Sequence, residues 1–158
     1  MRRVAALLLC ALLVSPCLAG DPGALLAAYA ELAKQSDPAF SGFSAARGQA
    51  FYFAKHKVED GSELSCASCH HEDPRRETHA HSDRIPCRAC HVIFDRWPNG
   101  TPKMKRQILA FAPSENPARF TNEWTVERWF DWNCRFLLER DCTPVEKGDL
   151  ITWLITLQ

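Results

Sequence analysis

The 158-residue sequence lacks the features that mark several large classes of protein. Its 19 basic residues are balanced by 19 acidic residues, so it has no excess of positive charge to attract nucleic acids. Seven glycines are too few for a collagen, and a hydrophobic fraction of 46% is too high for a disordered chain. The composition therefore indicates one ordinary globular domain.

The longest apolar run lies near the N terminus, at residues 4–14, and is too short to span a bilayer. Two arginines precede it and small residues follow it up to Ala19, which is the pattern of a secretory signal peptide. We predict a cleaved signal at residues 1–19, a single domain at residues 20–158, a periplasmic location and no stable membrane insertion. Lipid attachment at Cys17 is disfavoured because a proline stands directly before it.

Cysteine is the residue type that stands out, with eight in the chain. A chain of this size with so many cysteines is usually either stapled by disulfides or dedicated to a metal or cofactor. Two of them fall in the predicted signal peptide. The other six are Cys66, Cys69, Cys87, Cys90, Cys134 and Cys142.

Four of these cysteines form two copies of C-x-x-C-H, at residues 66–70 and 87–91. In c-type haem attachment, two thiols bond to the haem vinyl groups and the adjacent histidine becomes an iron ligand. The spacing of the four cysteines is also typical of a zinc ribbon, but the histidine that follows each cysteine pair favours haem attachment over zinc binding. We therefore predict two covalent haems, with a single haem and a degenerate second motif as the alternative. The predicted attachment residues are Cys66, Cys69, His70, Cys87, Cys90 and His91.

The sixth iron ligands are harder to assign. Met104 is the only methionine outside the predicted signal, so at most one haem can have His/Met ligation. His79 and His81 lie between the two motifs, and either could complete a bis-histidine site on the second haem; both could also be solvated loop residues. His56 and His71 are weaker candidates.

Helical spacing of apolar residues, with capping residues before it, predicts four helices at about residues 21–35, 44–56, 121–139 and 143–157. The stretch between the second and third helices shows little periodicity, and no strand is convincing. On the third helix we expect Trp129, Phe130 and Trp132 to form core and pocket wall. The sequence therefore predicts an all-α domain with long irregular loops.

Several local strings resemble the sphaeroides haem protein group of small class I cytochromes c. The resemblance extends from about residue 37 to the end of the chain, and its most specific part is W-F-x-x-N-C…R-x-C-T…E-K. The matching segments are residues 41–48, 66–70, 112–117, 119–121, 129–134, 140–143 and 146–149.

This resemblance implies a class I cytochrome c fold and an unusual iron site. His70 would be one ligand and the side chain of Asn133 the other, although the residues alone would leave Asn133 an unremarkable helix position. The resemblance also implies a disulfide between Cys134 and Cys142. A carboxamide oxygen is a hard, weak donor, so it should release ferrous iron and leave a position for nitric oxide, oxygen or carbon monoxide. We also expect Tyr52 and Gly48 to meet Trp153, a helix crossing typical of that fold.

The second C-x-x-C-H motif departs from the pattern of that group, and we predict that it lies in an inserted loop at about residues 71–105. Residues 73–106 contain eight basic and four acidic side chains, which could dock an acidic redox partner or balance haem propionates. The sequence thus favours an exported dihaem electron carrier whose partners are redox proteins, such as another c-type cytochrome or a membrane cytochrome. An oxidoreductase consuming oxygen or nitric oxide and a gas-sensing module are the alternatives, and no catalytic residue is evident.

Overall fold

The computed structural model describes residues 21–59, 61–79 and 107–158. Within these residues the helices are α1 (Pro22–Ser36), α2 (Ala45–Phe53), α3 (Cys66–His70), α4 (Glu123–Leu138) and α5 (Pro144–Leu154). The strands are β1 (His56–Lys57), β2 (Glu63–Leu64), β3 (Thr78–His79) and β4 (Gln107–Ile108).

The four predicted helices are confirmed, and each begins at a side-chain cap. The carboxylate of Asp21, the hydroxyl of Ser44 and the amide oxygen of Asn122 accept backbone N–H groups in the first turns of α1, α2 and α4. Thr143 and Glu146 form a capping box at the start of α5. The largest differences between the predicted and the observed helix boundaries are at the C-terminal ends. There α2 and α5 each stop about one turn before the predicted boundary.

The prediction that the chain has no strand is wrong, because the described residues include two short β-ladders. β1 pairs with β2, and β3 pairs with β4, both in antiparallel register. Each strand contains two residues, which is too short to show the two-residue alternation by which a strand is recognised in a sequence.

The core centres on the crossing of α2 and α5. Gly48 lies so close to α5 that a Cβ atom at this position would be 2.0 Å from the carbonyl oxygen of Asp149. Tyr52, one turn later, is fully buried and its ring centroid lies 5.0 Å from that of Trp153. The predicted contact of Tyr52 with Trp153 is thus confirmed, whereas Gly48 packs against the backbone at Asp149.

An ion pair between exposed Arg47 and buried Asp149 lies at the same crossing. The carboxylate of Asp149 is 3% exposed, accepts the backbone N–H of Ser44 at 2.6 Å, and pairs with both the Nε and a terminal nitrogen of Arg47. Because two-point contact fixes the guanidinium relative to the carboxylate, this pair sets the register between the start of α2 and the middle of α5.

The aromatic residues of α4 divide between the core and the surface. Phe130 is buried, as predicted, but Trp132 is 36% exposed and Trp124 is 68% exposed. The guanidinium of Arg128 lies over both tryptophan rings, 4.9 Å and 5.4 Å from their centroids. The expectation that Trp132 would be core is therefore wrong, since cation–π contact rather than burial accommodates its ring.

The approach of the two helices at Gly48 predicts that Gly48→Ala destabilises the protein. The added methyl group must displace backbone atoms of α5, and overpacking of this kind costs about 1–3 kcal/mol of unfolding free energy. Denaturant unfolding measures the loss. Gln49→Ala, at the neighbouring exposed position, should change the free energy by less than about 0.5 kcal/mol; equal stability of the two variants would contradict this packing.

Candidate haem site

The helix α3 arranges the first C-x-x-C-H motif. Cys66, Cys69 and His70 stand at positions i, i+3 and i+4, so their side chains share one face of the helix. The backbone N–H of Ser65 donates to the hydroxyl of Ser68 at 3.0 Å, which fixes the start of this short helix. Neither cysteine forms a disulfide in the described part of the chain, and burial raises the pKa of the Cys66 thiol to about 12.

His70 presents a neutral imidazole. Burial lowers the pKa of His70 to about 4, with a smaller contribution from the positive charge of Arg119. The ring stacks on Phe111, with centroids 4.4 Å apart, and its buried Nδ1 has no hydrogen-bond partner among the described residues. The stacked Phe111 ring covers a face of the imidazole and does not block the nitrogen lone pairs, which lie in the ring plane. A neutral imidazole is the form that binds metal.

Tyr52 anchors the end of α3. Its hydroxyl donates to the carbonyl oxygens of His70, at 3.1 Å, and His71, at 2.7 Å. His71 leaves the helix with a φ of 71° and its Nδ1 accepts the backbone N–H of Asp73. His71 is therefore engaged in the turn that follows the motif.

Asn133 reaches the site from α4. One cavity is lined by both Asn133 and Cys66, and most of its remaining wall is apolar: Phe51, Phe111, Phe130, Leu137, Leu138 and Leu150. The next residue along the helix, Cys134, is bonded to Cys142, with Cα atoms 5.5 Å apart. The helix position that presents Asn133 is thus joined covalently to the loop that leads into α5.

His56 lines the same cavity, and sequence reasoning gave it little weight. Its Nε2 is buried without a hydrogen-bond partner among the described residues. The β1–β2 ladder pairs His56 with Leu64, two residues before Cys66. Only a correct prediction of that short hairpin would have brought His56 to the site.

The donor set fits a covalently bound haem. Two thiols and the neutral imidazole of His70 lie together on α3. The Nδ1 atom of this imidazole is buried without a hydrogen-bond partner among the described residues, and the wall of the adjoining cavity is largely apolar. The second predicted set is not tested in this way, because His81, Cys87, Cys90, His91 and Met104 lie outside the described residues, as does the predicted signal. For His79 only the backbone is described, in β3.

Backbone pairing joins the residues on either side of segment 80–106. His79 and Gln107 are paired across the β3–β4 ladder. The carbonyl oxygen of Pro74 also accepts the backbone N–H groups of Phe111 and Ala112, at 2.7 Å and 2.9 Å. The two ends of segment 80–106 are therefore held side by side.

Comparison with known proteins finds relatives among the c-type cytochromes. A family described as a domain of unknown function, DUF1924, matches residues 38–84 and 75–154. The cytochrome c-type protein SHP of Cereibacter sphaeroides is 34% identical over 150 residues, which cover 94% of this chain and 95% of SHP. The chain belongs to the SHP family of c-type cytochromes.

Other members of the SHP family give a consistent result. Cytochrome c'' of Methylophilus methylotrophus is 29% identical over 128 residues, covering 81% of this chain and 74% of that protein. The crystal structure of its oxidised form superposes with a TM-score of 0.64 at 27% identity, over 85% of this chain and 93% of that one. The structure of oxidised SHP, an oxygen-binding cytochrome c, superposes with a TM-score of 0.61 at 29% identity, over 87% of this chain and 97% of that one.

These similarities confirm the predicted all-α class I cytochrome c fold, and covalently bound haem c follows from membership of the SHP family. In the described ranges, no helix of this SHP-family chain combines the length and the apolar character needed to cross a membrane.

The anchoring role of Tyr52 can be tested with Tyr52→Phe. Loss of the hydroxyl leaves two carbonyl groups at the end of α3 without this donor, so we expect a loss of about 1–3 kcal/mol and a shifted haem absorption spectrum. Denaturant unfolding and absorption spectroscopy measure the two effects. Ser36→Ala, which removes an exposed hydrogen bond to the carbonyl group of Leu32 at the end of α1, should leave the spectrum unchanged; a Tyr52→Phe spectrum identical to that of the wild type would contradict the role of Tyr52.

Proposed function

We propose that this chain is an exported dihaem electron-transfer cytochrome whose first haem also binds a small gas when reduced. The observation that supports this most strongly is the shared cavity: Cys66 of the attachment helix and Asn133 of α4 line the same largely apolar space. His70, whose imidazole is neutral at physiological pH, lies on the same helix face as Cys66.

In this proposal Cys66 and Cys69 would hold the first haem through thioether bonds, and His70 and Asn133 would bind its iron. The haem supplies one-electron chemistry at iron when it is bound. Burial keeps the His70 imidazole neutral and able to donate its lone pair. Asn133 offers a weak carboxamide oxygen that can yield its place to a stronger ligand.

Two related structures are in line with a replaceable ligand. SHP is described as an oxygen-binding cytochrome c, and the solution structure of cytochrome c'' is described as giving insight into haem-ligand detachment. This chain has the Cys134–Cys142 disulfide directly beside Asn133, which restricts the backbone that presents the ligand. We infer that the disulfide keeps the helix backbone in place, so that a displaced Asn133 side chain would return to the same position.

The second haem belongs to segment 80–106 and the residues that flank it. Cys87 and Cys90 would attach it and His91 would be its proximal ligand. His79 or His81 would complete its iron site, with Met104 as the alternative. The pairing of β3 with β4 supports an insertion, because the ends of the segment meet where a short turn would otherwise connect them.

Export follows from the predicted signal at residues 1–19, and it places the mature domain, residues 20–158, in the periplasm, where thiols oxidise to disulfides. The partners we propose are redox proteins, such as another c-type cytochrome or a membrane cytochrome. The net positive charge of residues 73–106 suits an acidic docking surface on such a partner.

Intact mass together with carbon monoxide difference spectra tests the proposal. We expect the mass of the processed chain plus two haems, with one reduced haem that binds carbon monoxide and one low-spin haem that does not. Two low-spin haems that both ignore carbon monoxide would contradict Asn133 ligation and favour Met104.

The role of Asn133 predicts that Asn133→Val increases the high-spin fraction of the oxidised protein, since valine has no donor atom. Absorption and electron paramagnetic resonance spectra measure that fraction. Asp131→Asn, on the same helix, changes a surface ion pair with Arg135 and should leave the spectra unchanged. An Asn133→Val spectrum equal to that of the wild type would reject the ligation.

The insertion predicts that replacing residues 80–106 with a two-residue Asn-Gly turn between His79 and Gln107 removes one haem and leaves the other. Mass spectrometry counts the haems, and the remaining one should keep its reactivity towards carbon monoxide. Loss of both haems from a folded, helical variant would show that the segment is needed for the first site.

A further inference from the structure

The strongest unassigned feature of the site is the imidazole of His56. Its Nε2 is one of two buried side-chain nitrogen or oxygen atoms in the described residues that have no hydrogen-bond partner, and the other belongs to His70. Leaving a buried polar atom unpaired costs free energy, so such atoms tend to mark positions that meet a ligand.

Backbone hydrogen bonds hold the chain in place at His56. His56 lies in β1, whose ladder to β2 is closed by backbone hydrogen bonds from Val58 to Ser62 and from Gly61 to Val58. β2 leads directly into the cap of α3 at Ser65, which is 5% exposed. The position of His56 is therefore fixed relative to the haem-attachment helix.

The cavity contains few groups that can recognise a polar guest. Of the described residues that line it, only His56 and Asn133 carry a side-chain nitrogen or oxygen, and the others are aromatic, aliphatic or cysteine. The carboxamide of Asn133 and the unpaired imidazole of His56 are thus the side chains among these lining residues that could form a hydrogen bond with a small molecule.

We propose that His56 is the hydrogen-bonding residue of a small-ligand site beside Asn133, and that it selects diatomic ligands that draw electron density, such as oxygen and nitric oxide, over carbon monoxide. This rests on the proposed function, in which the first haem binds a gas when reduced. A hydrogen-bond donor stabilises a ligand that gains negative charge, whereas nearly neutral carbon monoxide gains little from it.

Release rates of oxygen and carbon monoxide from the reduced full-length holoprotein test this role. His56→Leu removes the donor, and we expect oxygen release to accelerate about tenfold, the ratio that corresponds to 1.4 kcal/mol. Carbon monoxide release should stay within about twofold, because its hydrogen bond is weak. His56→Gln keeps an N–H donor and should recover most of the oxygen retention, and the exposed neighbour change Lys57→Gln should match the wild type.

The infrared C–O stretch of the carbon monoxide complex gives a second readout that does not depend on rates. We expect it to differ between wild type and His56→Leu, since the donor polarises the bond, and to be unchanged in Lys57→Gln. His56→Phe, which keeps a planar ring without a donor, serves the same comparison if the leucine variant fails to fold.

Equal oxygen release and equal C–O stretches in wild type and the donor-less variants would overturn the role of His56 while leaving the proposed function intact. Conversion of a low-spin haem to a high-spin one in His56→Leu would overturn it in favour of His56 as an iron ligand. A wild-type protein that binds neither gas when reduced would reject the proposed function and this inference together.

Discussion

The side chain of Tyr52 joins the packing of the fold to the attachment of the haem. Its ring lies in the crossing of α2 and α5, 5.0 Å from Trp153 and 6.1 Å from Phe111 between centroids. Its hydroxyl donates to the carbonyl groups at the end of α3. Because the ring is fully buried, the attachment helix cannot move without disturbing the helix crossing, and the orientation of His70 depends on that coupling.

The opposite side of the site depends on α4, which is held by different forces along its length. Near its start, Glu127 accepts hydrogen bonds from Tyr29 of α1 and from Lys147 of α5, the latter at 2.7 Å. Near its end, Cys134 is bonded to Cys142. Asn133 is exposed and directly precedes the disulfide, so its backbone is restrained. The proposed exchange of Asn133 for a gas would need such a restrained backbone.

Local chemistry explains which parts of the structure could be predicted from the sequence. Asp21, Ser44 and Thr143 cap their own helices through neighbours in the chain, so these helix starts are evident from a few residues. The C-x-x-C-H spacing likewise fixes one face of α3. The close approach of Gly48 to α5 was predicted in general form, but its partner at Asp149 depends on the helix register.

The features that sequence reasoning missed are those set by long-range contacts. His56 reaches the cavity through a two-residue ladder that leaves no periodic signal. Trp132 is exposed and its ring contacts the guanidinium of Arg128, one turn away, which apolar patterning does not reveal. Asn133 became a candidate only through resemblance to a family, since no local rule distinguishes a ligating asparagine from any other polar residue of a helix.

The proposed second haem lies in a segment whose flanking residues are joined by the backbone. The β3–β4 ladder pairs His79 with Gln107, on either side of segment 80–106. An insertion at such a point can add a second redox group and leave the first site's walls intact, because none of the described residues that line the cavity comes from β3 or β4.

The most direct test of the central claim is a crystal structure of the oxidised holoprotein. The account predicts that the haem attached to Cys66 and Cys69 has a nitrogen of His70 and the side-chain oxygen of Asn133 as its axial ligands. A methionine sulfur or a second imidazole in place of the Asn133 oxygen would contradict it.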